Sequence, residues 1–312
     1  MADVEVLTIG EVLTVLLAEP GVPLGEASRF DLTYAGAESN VAVGLARLGH
    51  RAGFVSRLGD DDQGRRVLRE LRGERVDVDA VALDPDRPTG LLLRDTLPTG
   101  LSVGYRRTGS AATALTPGDL PMDTLRAAWL LHLTGITAAI SASARETVVT
   151  AARAARDSGV TICFDPNVRV RLADPPTWRA IADELAALAD VLLIGSDDAA
   201  ALGVDDPFSW GHDHGATTVV LKDGSRGASE SHDGRLWQQP AISVPVVDPV
   251  GAGDAFAAGW LSGWLRRLEP AQRLAEAAAV AACVVAARGD VAGLPEPARR
   301  DRVLAGSEVV SR

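Results

Sequence analysis

With 312 residues, 46% of them hydrophobic, the chain can form one large α/β domain, or a domain with a small appendage, around a substantial core. Thirty-one Lys and Arg against 42 Asp and Glu leave a net charge of −11, which argues against nucleic acid or an anionic membrane as partner but permits anionic substrates where arginines gather locally. No apolar run of about 18 residues predicts a transmembrane helix. The opening MADVEVLTIG has no basic segment of the kind that begins a signal peptide, and Cys163 and Cys283 sit in apolar settings, so a reduced, cytoplasmic protein is expected.

In chain order, Val4 to Ile9 reads as a buried strand closed by Gly10, and Val12 to Ala18 as a second. A Pro/Gly-rich excursion follows, and Arg29 to Tyr34 leads back in. Val41, Leu45 and Leu48 recur at helical spacing up to Gly49, with Asn40 near the helix start, where it caps the helix or does something more. Gly53 to Leu58 is a strand. The acidic run Asp60, Asp61 and Asp62 opens a surface helix and reads as helix-terminal carboxylates rather than a metal site. Thr89 to Asp95 and Leu101 to Arg106 predict a hairpin around Leu97 to Gly100. From Trp129 onward, strands ending at Leu133, Phe164, Ile194 and Leu221 alternate with helices, which predicts a doubly wound, mostly parallel α/β sheet flanked by helices. A second hairpin is expected around Asp233-Gly234, and two long alanine-rich helices after Asp254. The end of the chain reads as a short helix with a frayed tail.

The stretch DPVGAGDAFAAG, Asp248 to Gly259, organises the rest. Ile242 to Val247 before it reads as a buried strand end. Gly251-Ala252-Gly253 then makes a turn almost without side chains, and an apolar helix begins. A glycine turn opening a helix leaves free N–H groups and the positive end of the helix dipole for an anion. Asp254 stands beside that anion hole, where a carboxylate needs a reason to be, and general-base catalysis on an attacking hydroxyl supplies one. Polar residues follow the other predicted strands too: Asp165, Asn167 and Arg169 after Phe164, Ser196 after Ile194, and Lys222 to Gly227 after Leu221. Ligands of doubly wound sheets bind beyond such strand ends. No G-x-G-x-x-G follows the first strand, which disfavours a dinucleotide dehydrogenase.

The succession AGAESNVAVGLARLG, YRRTGSAAT, FDPNVR, VLKDGSRGA and DPVGAGDAFAAG resembles the ribokinase-like (pfkB) carbohydrate kinases along nearly the whole chain, and GAESN, Tyr105 with Arg107, and FDPNVR look most like 2-keto-3-deoxygluconate kinases. The resemblance implies one kinase domain over residues 1–312, with a small β-sheet lid from about 11–35 and 88–108 that often serves as a dimer contact, hence a homo-oligomer. It implies transfer of the ATP γ-phosphate to a hydroxyl of a sugar acid, with Asp254 as base and Gly251, Ala252 and Gly253 as anion hole. Gly36, Asn40, Tyr105, Arg107, Arg169, Asp254 and Asp290 would hold the sugar acid. Asn167, Ser196, Lys222, Gly224, Ser225, Arg226, Gly227, Gly251 and Gly253 would hold ATP. Mg²⁺ would be reached through water by Asp198, and Asp248 lies where relatives bind a monovalent cation such as K⁺.

Guanidinium groups match carboxylates in a bidentate way, which suits a sugar acid. Arg106 reads as a solvated strand-edge charge. Three places depart from the pattern: Ala35 replaces a glycine, Leu92 stands where a tyrosine is usual, and Ser196-Asp197-Asp198-Ala199 lacks the glutamate associated with magnesium. Kinases for fructose, ribose or another sugar, and a non-catalytic sugar- or nucleotide-binding regulator, are the alternatives. His212 and His214 form an HxH without an evident third zinc ligand and read as a solvated loop.

Overall fold

The computed structural model describes residues 4–97 and 100–306. In chain order the elements are β1 (Val6–Ile9), β2 (Leu13–Ala18), β3 (Phe30–Ala35), α1 (Ala37–Arg47), β4 (Ala52–Gly59), α2 (Asp62–Gly73), β5 (Val81–Asp84), β6 (Leu91–Leu97), β7 (Gly100–Arg106), α3 (Met122–Ala127), β8 (Leu130–Thr134), α4 (Gly135–Ile140) and α5 (Ala142–Asp157). They continue with β9 (Thr161–Asp165), α6 (Pro175–Ala186), β10 (Val191–Gly195), α7 (Ser196–Leu202), α8 (Pro207–Asp213), β11 (Thr218–Lys222), β12 (Ala228–His232), β13 (Arg235–Gln239), α9 (Ala252–Leu265), α10 (Pro270–Val285) and α11 (Pro297–Leu304).

Among the described residues one sheet has the order β13-β12-β11-β10-β9-β8-β1-β4-β5, and a small second sheet the order β3-β2-β6-β7. In the large sheet only β12 and β13 run antiparallel to their neighbours. This is the doubly wound architecture expected from the alternating strand and helix patterns. The chain leaves β1 for β4 and β5 on one side and returns through β8 to β11 on the other. Strand order therefore reverses between β1 and β8, the kind of position at which doubly wound sheets bind ligands beyond their carboxyl ends.

The strands are buried on both faces, and their period of two divides the core. Val6, Leu130, Val191 and Leu193 face one layer, which includes α1, α9 and α10. Leu7, Leu131, Leu192 and Ile194 face the other, against α5 and α6. Helix α9 is apolar all round and buried from Ala255 to Gly263, as a helix packed between α1 and α10 must be. Asp61, from the acidic run, caps α2 through the Gly64 N–H at 2.7 Å, so that run is structural. Asp233 and Gly234, both at positive φ, turn the β12–β13 hairpin. Cys163 and Cys283 are buried and form no disulfide with each other.

One expected strand is absent. Ile242 to Val247 carries no ladder among the described residues. Ile242 and Val244 pack on Ala279, Ala282 and Cys283, while Val246 and Val247 are 67% and 54% exposed. Its alternate residues lean on a helix rather than on a sheet, so an apolar run that reads as a strand is an extended strap. Pro98 and Thr99 of the expected hairpin turn, and residues 307–312 of the expected tail, lie outside the described residues.

Phe54 is buried in the α1/α9/α10 core layer, 1% exposed. Phe54→Ala should lower unfolding free energy by about 3–5 kcal/mol, read by urea denaturation, without altering turnover per folded molecule.

Candidate active site

The first turn of α9 is the centre of the site. Gly251 sits at φ +80° as its N-cap, and a Cβ there would come within 2.8 Å of the Asp290 carbonyl oxygen. Only glycine fits both demands. No side chain caps the helix, and the Ala252 N–H reaches only the Pro249 carbonyl, at 3.4 Å. The first-turn amides thus have the arrangement in which a helix terminus can receive an anion. Asp254, in this turn, is half-buried rather than sealed in the core. Burial raises its pKa to about 6, against the lowering effect of a hydrogen bond from Asn40 and the positive charge of Arg169.

Asn40 lies in α1, near its start, and is buried. Its Nδ2 donates to Asp254 Oδ2 at 2.8 Å, and its Oδ1 accepts from the Gly36 N–H at 3.5 Å. Asn40 therefore links two parts of the site rather than only capping a helix. Gly36 approaches the chain after β1 so closely that a Cβ would meet the Glu11 carbonyl at 2.1 Å. The buried Glu11 carboxylate pairs with Arg107, whose guanidinium lies 4.7 Å over the Tyr105 ring. Leu92 is registered opposite Tyr105 and packs with Val15, Leu17 and Ala35. Arg169 is exposed; its Nη1 donates to the Asn167 and Val168 carbonyls at 3.3 and 3.0 Å, and it has no ion pair among the described residues. Arg106 is exposed and donates only to the Tyr105 carbonyl, as a strand-edge charge does.

Across the anion hole, Lys222 ends β11 and pairs with Asp165 at the end of β9. Its Nζ is 3.9 Å from where a Cβ on Gly253 would stand. Burial alone would lower the Lys222 pKa, but the carboxylates of Asp165, Asp198 and Asp254 outweigh it and raise it. Asp198 accepts the Val168 N–H at 2.8 Å and the Gly195 N–H at 3.1 Å; burial, then the charge of Asp165, raises its pKa. Asn167 takes a positive φ of 43°, with its N–H on Asp165 at 3.2 Å. Ser196 starts α7 next to Gly195, which is registered with Lys222. Gly224, Ser225 and Arg226 form an exposed turn, closed by an Arg226–Asp223 hydrogen bond of 2.6 Å and by Gly227 at φ +106°.

Behind the anion hole lies a buried charge cluster. Arg94 Nη2 donates to Asp248 Oδ2 at 2.6 Å and Nη1 to Asp290 Oδ1 at 3.3 Å. Asp248 also accepts from the Gly289 N–H at 3.0 Å and the Val250 N–H at 3.1 Å. Burial raises the Asp290 pKa to about 6, with Arg94 opposing. Glu38, fully buried, accepts from Thr134 and Thr137 at 2.7 and 2.6 Å, and burial lifts its pKa to about 7. A cavity of about 820 Å³ lined by Trp129, Trp237 and Trp264 contains none of these groups; it opens at the amino ends of β8 and β9, away from them.

The model of the pfkB family carbohydrate kinases matches residues 4–297. The chain belongs to the pfkB carbohydrate kinases. It is 39% identical over 304 residues to the 2-dehydro-3-deoxygluconokinase of Bacillus subtilis, covering 93% of this chain and 92% of that one. To the 2-dehydro-3-deoxygluconokinase of Thermoproteus tenax it is 34% identical over 317 residues, covering 97% and 95%. A crystal structure of a PfkB protein from Polaromonas sp. JS666 superposes with a TM-score of 0.85 at 35% identity, over 96% of this chain and 99% of that one. The protein is therefore an ATP-dependent sugar kinase, and the family resemblance carried by its motifs holds over residues 4–297.

In this pfkB kinase, the residues expected to hold sugar or nucleotide lie after β9 and β10, at or after the end of β11, at the N-cap and first turn of α9, after α10, in or just before α1, and on or just past β7. Sequence reasoning gave no role to Glu11, Glu38 or Arg94. Arg94 had a signal, a lone cation in the apolar strand Leu91-Leu92-Leu93. Glu11 had one as well, a carboxylate one residue past the glycine that closes the first strand.

Arg107→Met would leave Glu11 buried and unpaired, a cost of about 3–5 kcal/mol. Burial already raises the Glu11 pKa and Arg107 holds it down. In the variant Glu11 takes a proton more readily, so the loss measured by urea denaturation should be large at pH 8 and shrink towards pH 5.

Proposed function

We propose that this kinase phosphorylates 2-keto-3-deoxygluconate, the sugar acid in the names of its relatives, at the 6-hydroxyl. The observation that carries this reading is Arg169, an exposed guanidinium without an ion pair among the described residues and close enough to Asp254 to lower its pKa. A substrate carboxylate satisfies such a fork bidentately, whereas a neutral sugar would leave it unmatched. Gly36, Asn40, Tyr105, Arg107 and Asp290 complete the sugar side. Asn167, Ser196, Lys222 and Gly224 to Gly227 take the nucleotide.

The acceptor hydroxyl gives its proton to Asp254 as its oxygen bonds to the γ-phosphorus, and the bond from that phosphorus to the β,γ-bridging oxygen breaks to leave ADP. The amides of Ala252, Gly253 and Asp254, with Lys222 beside them, meet the charge on the moving group. A raised pKa makes Asp254 a better base than an ordinary aspartate while leaving it ionised above about pH 6. Among the described residues no cluster of three or more acidic, His or Cys side chains could cage a metal. Asp165 is paired with Lys222, and Asp198 is held by two amides. Such residues suit a magnesium ion carried by phosphate and water, which neutralises phosphate charge. The small sheet of β3, β2, β6 and β7 serves as the lid that keeps water from the transfer.

Asp254→Asn should reduce turnover by roughly 10²–10⁴-fold, in a coupled ADP-release assay. In the wild type kcat/KM should fall below about pH 6 as Asp254 gains a proton. Asn40→Ala should move that limb to higher pH, because the hydrogen bond it removes lowers the Asp254 pKa. A pH profile unchanged by either substitution rules out Asp254 as the base. Arg169→Ala should raise KM for the sugar acid by roughly 10- to 100-fold, the worth of a charged hydrogen-bonded contact, and leave activity on fructose nearly unchanged. Preference for fructose over the sugar acid in a substrate panel would overturn the substrate assignment.

A further inference from the structure

Arg94 occupies a place that the kinase reading does not explain. It is 2% exposed, and it reaches across 154 residues to Asp248 and 196 to Asp290. The two acids belong to the two loops that shape the anion hole. Asp248 leads through Val250 into the Gly251 turn, and the Asp290 carbonyl is the atom against which Gly251 turns. Both Asp248 oxygens are in use: Oδ2 accepts from Arg94 and the Gly289 N–H, and Oδ1 from the Val250 N–H. A monovalent cation at Asp248 would have to displace a guanidinium that carries a permanent charge, is buried, and is held in two directions. The residues present do not fit K⁺ there.

We infer that Arg94 is the built-in cation of this site: a positioning residue that joins the Asp248 and Asp290 loops, holds the anion hole in shape, and removes any need for a monovalent metal ion. A pair of buried carboxylates on neighbouring loops repel each other unless a cation stands between them. An exchangeable ion would supply that charge only when bound, whereas a guanidinium anchored on β6 supplies it at every salt composition. Because β6 belongs to the small sheet, the same contact fixes that sheet to the loops under the transferred phosphate. This inference rests on the phosphoryl-transfer reading of the Gly251–Asp254 turn but not on the identity of the sugar.

The test measures ADP release with the best sugar of a panel, together with thermal melting of the free protein, in KCl, NaCl and tetramethylammonium chloride at equal ionic strength and with magnesium constant. In the wild type turnover should agree within about twofold, and the melting temperature should not depend on which chloride is used. Arg94→Ala should lose at least tenfold in kcat with a smaller change in sugar KM, and added K⁺ or guanidinium should restore part of it while tetramethylammonium does not. Arg94→Lys, which keeps the charge but cannot reach both carboxylates, should fall between the two. Tenfold or greater activation of the wild type by K⁺, or an Arg94→Ala enzyme with wild-type kcat in tetramethylammonium chloride, would overturn the inference. If Arg94→Ala does not fold, the wild-type salt series and Arg94→Lys decide it. If no sugar is turned over, the kinase reading has failed, and melting in the three chlorides still tests the cation claim by itself.

Discussion

An ionisable carboxylate kept beside a site shaped for phosphate is the constraint to which the rest of this structure answers. On the proposed mechanism Asp254 must be close to the α9 amides to accept a proton from the attacking hydroxyl, yet burial there already favours its neutral form. Its basicity is set by groups delivered from separate parts of the chain: the Asn40 amide from α1, the Arg169 charge from the loop after β9, and, on the opposing side, the charges of Asp165 and Asp290. In a low-dielectric cleft each contact of this kind is stronger than in water, so small displacements matter. The carboxyl ends of the parallel strands β9 to β11 and the first turns of α1 and α9 bring such distant residues together, near the reversal of strand order between β1 and β8.

The apolar architecture serves the same end. Helix α9 has almost no polar surface of its own; Trp260 is buried with its indole N–H on Glu230 at 2.9 Å, and Arg273 pairs with that same glutamate. The helix is thus wedged between α1 and α10 and has little freedom to shift along its axis. If phosphate binds at the first turn of so confined a helix, as proposed, the site needs little reorganisation to receive it, which is where electrostatic catalysis gains most.

The sequence revealed the periodic and the local. Alternating strand and helix patterns give the doubly wound sheet, and Gly251-Ala252-Gly253-Asp254 gives the glycine turn that opens α9 with a carboxylate in its first turn. It did not reveal which charges would be neutralised, because pairing acts across the fold. Arg94 meets partners 154 and 196 residues away, and no spacing rule connects them. Glu38 stands in the motif beside Asn40, but only the folded chain brings Thr134 and Thr137 to its carboxylate. Ile242 to Val247 misleads for a related reason. Apolar alternation reports that one side of a segment is covered and not what covers it, and here the cover is helix α10.

A net charge of −11 looks ill suited to a kinase that must collect a nucleoside triphosphate and, on the proposed reading, a sugar acid. At physiological ionic strength, however, surface charges are screened over about 8 Å, so distant acids on α2 or α11 have little influence on the cleft. Inside it the balance differs: Lys222, Arg107 and Arg169 stand around the proposed binding surfaces, and Arg94 lies behind them. Most of these cations already face an internal carboxylate, Asp165 for Lys222, Glu11 for Arg107, and Asp248 and Asp290 for Arg94. Arg169 does not. On the proposed reading, an anionic substrate would be selected by the one guanidinium among these four cations that makes no ion pair among the described residues, and not by an overall positive field.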